Sequence, residues 1–351
     1  MHHIISDGWS WDICCRELAT FYQAFDRTLD SSAEPSAQSV ARRDLDAHAL
    51  HSIKELPIQY GDFTLWHRKF IQDKIAPQLN YWKQKLENAP PIVELPTDYS
   101  RPGNQSFQGS RETFTFSQQL TKNLKDLSKQ QNVTPFMLLL AAFKTLLYRY
   151  SQETDIVVGT PVANRDRLET ENLIGCFINT LVLRTNLDRE PSFSELLQRV
   201  KATTLAAYNH QDLPFEELVK ELKVERSPDT NPLFQVMFVF QEAPLLSLTL
   251  PDLEITLLPI DNGIAKFDLT LYIEDTKEEL IGFLEYSSDL FRGDTIQRML
   301  ANFHTLLTEI VANPDTNIDR LPLLTASVRN KRTYPTSQLL ANYYKEFEKL
   351  L

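Results

Sequence analysis

The sequence predicts an α+β fold, and three observations carry that expectation. Apolar residues recur at helical spacing in several long segments, short runs of strand character lie between them, and the two kinds of element follow no strict alternation. A length of 351 residues suggests two domains or two lobes of one.

Residues 11–26 set Trp11, Cys14, Cys15, Leu18, Ala19, Tyr22 and Phe25 at helical spacing, with Ser10 as a candidate cap. Residues 28–56, dominated by Ser, Ala, Asp and His, read as a variable loop. Residues 60–86 read as a helix carrying Phe63, Trp66, Phe70, Ile71, Leu79, Trp82 and Leu86. From Asn88 through Pro90 and Pro91 to Gly109 the chain reads as a crossover. A strand follows near 111–116, then a helix capped by Ser117, then an apolar helix opened by Thr134 and Pro135 and running to about Tyr150. Residues 155–158 read as a short buried strand that ends in a turn at Gly159, Thr160 and Pro161. Strands are expected at 178–185, 233–241, 267–273 and 280–286, and helices at 192–209, 214–222 and about 294–312. Residues from about 325 to 351 read as a polar tail with an amphipathic stretch.

Composition excludes several classes. A net charge of −11 argues against nucleic-acid binding, which needs a basic face. No apolar run is long enough to span a bilayer, and residues 1–7 lack the pattern of a signal peptide. Three cysteines, two of them adjacent, make no disulfide framework and fit a reducing cytoplasm; no Cys/His cluster has zinc spacing.

The strongest chemical signal is His2-His3-Ile4-Ile5-Ser6-Asp7-Gly8. Histidine suits general acid–base work because its ordinary pKa lies near neutrality. Asp7 can pair with a cation that shapes the loop, and Gly8 can let a substrate approach the backbone or adopt positive φ. The plain alternative is two histidines in a turn with no chemical role. Four more segments follow in order: Tyr60-Gly61-Asp62-Phe63-Thr64-Leu65-Trp66, then Ile174-Gly175-Cys176-Phe177-Ile178-Asn179-Thr180 continuing to Arg184, then His210-Gln211-Asp212-Leu213-Pro214-Phe215-Glu216, then Arg226-Ser227-Pro228-Asp229-Thr230-Asn231-Pro232-Leu233. Read from the residues alone, Tyr60, Phe63 and Trp66 form an aromatic core stripe, Asp212 and Pro214 start a helix, Asn179 and Thr180 satisfy backbone groups, and Cys176 is a small buried hydrophobe.

Together the five segments resemble the third to seventh core motifs of nonribosomal peptide synthetase condensation domains, over nearly all of residues 1–325. Leu321-Pro322-Leu323-Leu324-Thr325 resembles the family's exit into a following domain. Thr64 stands where the family prefers Ala, and Ser227 where it often has Asp. The resemblance implies a chloramphenicol-acetyltransferase-like, V-shaped fold of two lobes with a tunnel between them. It divides the chain into a partial N-lobe at 1–88, a crossover at 89–105, a C-lobe at 106–325 and a linker or tail at 326–351. The histidine motif starts unusually early, so the N-lobe is expected to be incomplete, with apolar surface exposed and the chain alone poorly active.

The implied activity is amide bond formation between a donor acyl thioester and the α-amine of an acceptor aminoacyl thioester. Both are carried on the 4′-phosphopantetheine of partner carrier proteins, beside an adenylation domain, with no cofactor or metal held by this domain. His3 matches the second histidine of the motif, as a base or as a group that positions the amine. Asp7 and Gly8 belong to the same catalytic set, with amides near Gly8 as oxyanion donors. His2 is assigned to structural packing, and Ser10 and Asn231 to the tunnel, although Asn231 before Pro232 also suits a turn. In the wider superfamily the matching Asp pairs with an arginine. Arg165 and Arg184 are the candidates here, with a third in any preceding segment, and Arg165 is favoured because its turn follows a buried strand. The retained histidines argue against a cyclisation domain. The Tyr-x-Asp-Phe and Gln-Asp-x-Pro-Phe-Glu segments argue against an epimerisation domain, and the run after His3 looks most like domains taking an L-configured donor. Two rivals are a non-catalytic carrier-binding remnant and an ester-forming acyltransferase of the same superfamily.

Overall fold

The computed structural model describes residues 1–29, 55–224, 227–242, 250, 253 and 260–324. The loop expected over 28–56 falls almost entirely outside them, as does the tail of 326–351. The frame is one mixed sheet of six strands: β1 (Gly109–Thr115), β2 (Asp155–Val162), β3 (Asn179–Asn186), β4 (Val236–Glu242), β5 (Leu269–Asp275) and β6 (Leu280–Ser287), in the order β1-β6-β5-β4-β2-β3. β4 lies parallel to β5 and touches β2 in parallel at Gly159 and Met237, and the remaining neighbours are antiparallel.

Seven helices are described: α1 (Gly8–Leu29), α2 (Tyr60–Leu86), α3 (Gln118–Gln130), α4 (Pro135–Ser151), α5 (Phe193–Tyr208), α6 (Phe215–Glu221) and α7 (Gly293–Ala312). Their starts follow from capping. Ser117, Thr134 and Ser192 each accept from the third helical amide, and Glu195 returns the bond to Ser192 N, closing a capping box. Helices α3, α4, α5 and α7 pack against the sheet and one another, which gives one face of each strand an apolar cover. On β5, Leu269, Leu271 and Ile273 are buried while Thr270, Tyr272 and Glu274 are half-buried, the two-residue alternation of a sheet covered mainly on one side. Trp82 and Leu86 of α2 join the same apolar cluster as α4 and the strands.

Three local expectations change. Gly159, Thr160 and Pro161 form no turn: they continue β2 in register with Val182, Leu181 and Thr180 of β3. The long antiparallel pairing outweighs the local turn signal. α1 starts at Gly8, so Ser10 lies inside its first turn and Asp7 is the residue that caps it. Asp212 does not cap α6, whose N-cap position is Pro214.

Candidate functional site

The histidine segment is a tight turn leading into α1. Ile5 N donates to His2 O at 3.1 Å and Ser6 Oγ to the same carbonyl at 3.0 Å. His3 Nδ1 lies 3.0 Å from Ser6 O. A carbonyl only accepts, so Nδ1 carries a proton, and in the neutral imidazole the lone pair is on Nε2. His3 is solvent-exposed as a residue.

Immediately after the turn the chain is pinned in the interior. Asp7 Oδ1 accepts from Ser10 N at 2.9 Å and from Ser10 Oγ at 2.7 Å, and Asp7 N donates back to Ser10 Oγ at 3.3 Å. This reciprocal pair is a capping box with Asp at the cap and Ser three residues later. Arg165 Nη2 reaches Asp7 Oδ1 at 3.0 Å and Oδ2 at 3.2 Å, so Arg165 is the arginine beside Asp7. The pair is not a fork-on-fork one, because one nitrogen serves both oxygens. Nη1 instead donates to Thr170 O at 2.6 Å and Leu173 O at 2.7 Å, so the guanidinium also ties down its own loop. Phe177 N completes the carboxylate's shell at 3.0 Å, and the Phe177 ring lies 3.9 Å beneath the guanidinium carbon.

The side chains of Asp7 and Arg165 keep only 4% and 1% of their exposure, so electrostatics decides their state. Burial pushes the Asp7 carboxyl up, but the Ser10 hydroxyl, the Phe177 and Ser10 amides and the Arg165 charge outweigh it and hold the carboxyl below its ordinary value. Burial pulls Arg165 down against the attraction of Asp7. It starts so far above neutrality that it stays charged, and the pair is ionised.

The resemblance assigns Ser10 to the tunnel, yet it is fully buried in this network, its Oγ 2.9 Å from Gly175 O and accepting from Gly175 N at 3.1 Å. His2, expected to pack, is exposed, with Nδ1 accepting from Ile4 N at 3.1 Å. Gly8 is exposed and is the first helical residue without positive φ; a Cβ there would meet nothing within 4 Å. Arg184 lies elsewhere: it pairs with Asp155 at 2.7 Å and donates to Glu87 O at 2.7 Å, joining the β2–β3 edge to the end of α2. β-strand alternation and the strand end carry it away from Asp7. Asn231 donates to Lys266 O at 2.7 Å and lines a cavity of about 770 Å³ with Leu86, Pro91 and Leu233; none of residues 2–10 lines it. Cys176 is half-exposed in place of the buried hydrophobe expected, and burial still pushes its thiol up, away from nucleophilic character.

Two contacts have no counterpart in the sequence reading. Trp9 Nε1 donates to Glu171 O at 2.8 Å, latching α1 to the short helical turn Leu168–Thr170 that Arg165 also holds. Gly175 admits the Tyr60 ring so closely that a Cβ would sit 2.2 Å from Tyr60 Cδ2, while Tyr60 Oη donates to Cys176 O at 2.7 Å. A signal is present, since Gly175 and Tyr60 each stand in one of the five motifs, but no spacing rule pairs residues so far apart. Asn179 does what is expected of it: Nδ2 donates to Gln211 O and Leu213 O, and Oδ1 accepts from Thr180 N and from Phe215 N at the start of α6.

Known proteins resemble this chain in sequence and in fold. A family model described as "Condensation domain" matches residues 46–331. One of the linear gramicidin synthase polypeptides of Brevibacillus parabrevis is 46% identical over 327 residues, 92% of this chain and 6% of that protein. A second linear gramicidin synthase polypeptide from the same organism is 44% identical over 349 residues, 99% of this chain and 4% of that protein, so the likeness extends beyond the span of the family model. A dimodular nonribosomal peptide synthase of Bacillus subtilis (strain 168) is 40% identical over 336 residues, 92% of this chain and 13% of that protein. The chain thus spans only a small part of these relatives. Among solved structures, the X-domain from teicoplanin biosynthesis matches with a TM-score of 0.78 at 24% identity, over 92% of this chain and 71% of that one. The condensation domain from Monacolin K polyketide synthase matches at 0.74 and 19%, over 90% and 69%. These two likenesses bear on the fold alone, which is the chloramphenicol-acetyltransferase-like one.

Proposed function

The chain belongs to the condensation-domain family, and from that premise we propose that its histidine turn forms an amide bond between two carrier-bound acyl groups. The observation that carries the proposal is the bond from His3 Nδ1 to Ser6 O, which makes Nε2 the acceptor nitrogen of the neutral ring on an exposed turn. An acceptor α-amine attacks a donor thioester carbonyl; the new C–N bond forms and the C–S bond breaks. His3 Nε2 receives the amine proton or holds the amine in line, and the thiolate leaves as the free thiol of the donor's phosphopantetheine. The amides that open α1, at Gly8 and Trp9, are oriented by the helix start and suit the oxyanion of the tetrahedral intermediate. Asp7 takes no proton in this scheme, because it is buried and ionised against Arg165; it fixes the turn on which His3 stands.

The reading carries its partners with it: donor and acceptor carrier proteins presenting 4′-phosphopantetheine arms, and an adenylation domain in the same assembly line, working in the cytoplasm. No helix among the described residues is long and apolar enough to cross a membrane. The test presents the chain, with any preceding segment of its N-lobe restored, with one donor-loaded and one acceptor-loaded carrier protein and follows the amide product by mass spectrometry. His3→Ala is expected to slow product formation by about 10²–10⁴-fold. Undiminished turnover in that variant removes His3 from the mechanism. Product formed on free coenzyme A with an alcohol acceptor, and none on carriers, favours the ester-forming alternative.

A further inference from the structure

Asp261, Asn262 and Gly263 stand in an exposed loop that leads through Ala265 toward β5. The sequence has no other Asn-Gly pair. Gly263 has a φ of 65°, the left-handed backbone that glycine adopts without penalty. Two bonds shape the loop: Gly263 N donates to Asp261 Oδ1 at 2.8 Å, and Ile264 N donates to Asn262 Oδ1 at 3.1 Å. A Cβ on Gly263 would meet nothing within 4 Å, so the approach beside the Gly263 nitrogen is open.

Each bond favours one half of the same chemical step. A backbone nitrogen is a poor nucleophile until it gives up its proton, and the Asp261 carboxylate already accepts the hydrogen bond of that proton. An amide carbon is a poor electrophile until its oxygen is polarised, and the Ile264 N–H polarises the Asn262 amide. The Ile264 bond also turns the Asn262 amide toward the chain that follows it.

We propose that this loop is a self-modification site: Asn262 deamidates in the folded chain, with Asp261 as the base, to a mixture of aspartate and isoaspartate. Gly263 N attacks Asn262 Cγ. The N–Cγ bond forms, the Cγ–Nδ2 bond breaks, and the backbone proton leaves with the amide nitrogen as ammonia. Water, which reaches this exposed loop freely, then opens the cyclic imide. Addition at Cγ gives an aspartate on an unchanged main chain. Addition at the main-chain carbonyl of residue 262 leaves Gly263 attached through Cγ, a link longer by one carbon.

The longer link falls where the backbone has no slack. Gly263 O accepts from Gly109 N at 2.9 Å, Ala265 N donates to Phe107 O at 2.9 Å, and Gln108 bridges to Ile264. The two backbones run so close that a Cβ on Gly109 would sit 2.4 Å from Ala265 Cβ. Isoaspartate therefore loosens the start of β1. The other pair open to imide chemistry is Asp7-Gly8, and the fold shields it. The Asp7 side chain is 4% exposed, both its oxygens are bonded, and a carboxylate offers no leaving group.

The test holds the full chain at mildly alkaline pH, folded and in urea, and follows the peptide that spans residue 262. Mass spectrometry reads the exchange of amide for acid, and enzymatic methylation reads isoaspartate. A first-order rise at residue 262 and none at Asp7 is expected, faster in the folded chain than in urea, where both loop bonds are lost. Asn262→Ser should abolish the signal. Asp261→Ser keeps an acceptor oxygen without the charge and should slow the rise by about tenfold, less than a shielded general base supplies. The aged chain, separated by ion exchange, should unfold at lower urea than the fresh one, while Asn262→Ser kept for the same time should not shift. Conversion that is slower in the fold than in urea, an unchanged rate in Asp261→Ser, or isoaspartate appearing as fast at Asp7 each overturns the proposal.

Discussion

Four donors from three separate parts of the chain converge on the carboxylate of Asp7: the Ser10 amide and hydroxyl, the Phe177 amide and the Arg165 guanidinium. An Asn at this place keeps the size and loses the charge, leaving Arg165 buried without its counterion. Asp7→Asn is therefore expected to cost about 3–5 kcal/mol in urea unfolding, the usual loss when one partner of a buried pair is removed. A loss below about 0.5 kcal/mol, the range of ordinary surface changes, would show that the pair is not the anchor described. The pH dependence has a definite sign. Because the folded carboxyl sits below its ordinary value of about 3.9, its stabilisation is complete above that value and disappears as pH falls through the folded one. Wild-type stability should fall more steeply than that of Asp7→Asn as the pH drops below about 4. His2 gives the contrast: it is exposed and makes only a local bond, so His2→Ala should change stability by less than about 0.5 kcal/mol.

Elements fix the site by contacts that cross from one motif to another. α1 is tied to the 165–177 loop at Trp9, Ser10 and Asp7, and α2 is tied to the same loop by Tyr60 over Gly175. A methyl at Gly175 would collide with the Tyr60 ring, so Gly175→Ala must displace the start of α2 or the loop that carries Phe177. It is expected to destabilise by about 1–3 kcal/mol, as overpacking does. The double variant Gly175→Ala, Tyr60→Ala should recover part of that loss, which additivity in the double-mutant cycle would disprove. Contacts of this kind lie beyond what the sequence makes legible. Helices such as α2 and α4 are legible to within a residue or two because periodicity and capping are local signals. Arg165 is found because the superfamily resemblance calls for an arginine beside Asp7 and Arg165 follows a buried strand, although the turn expected after that strand does not form. The extension of β2 through Pro161 is hidden, since it depends on β3 pairing some twenty residues later. Ser10 reads as a tunnel residue and a cap because its true partners, Gly175 and Arg165, are more than 150 residues away.

At the scale of the whole molecule, the core contains one group that no site explains. Lys144 lies on α4 with no solvent exposure, its Nζ bonded to Ile156 O at 3.3 Å, Leu183 O at 2.5 Å and Thr185 Oγ1 at 2.9 Å. It therefore bridges the central helix to β2 and β3 from beneath, while Arg184 and Asp155 clasp the same two strands at the edge. Three acceptors match the three protons of an ammonium, yet none carries a charge, and desolvation, helped by Lys85, pulls the pKa of Lys144 well below the ordinary lysine value. The consequence is a slope in stability. Between the folded value and the unfolded value of about 10.4, the unfolded chain binds the extra proton, so stability rises with pH across that interval and is lost as pH falls through it. Lys144→Met has nearly the same length and cannot titrate. Its stability at any one pH mixes two opposed effects, since Met relieves the desolvation of a charge but leaves the Ile156 and Leu183 carbonyls without one donor. The slope separates them. Urea unfolding of the wild type at several pH values from about 7 to 10 should show ΔG increasing with pH by up to about 1.4 kcal/mol per unit, the value for one proton. Lys144→Met should lack that component while keeping the acid limb set by Asp7. If the two proteins show parallel curves over the alkaline range, Lys144 keeps an ordinary pKa in the fold, and its three acceptors stabilise the ammonium as well as water does.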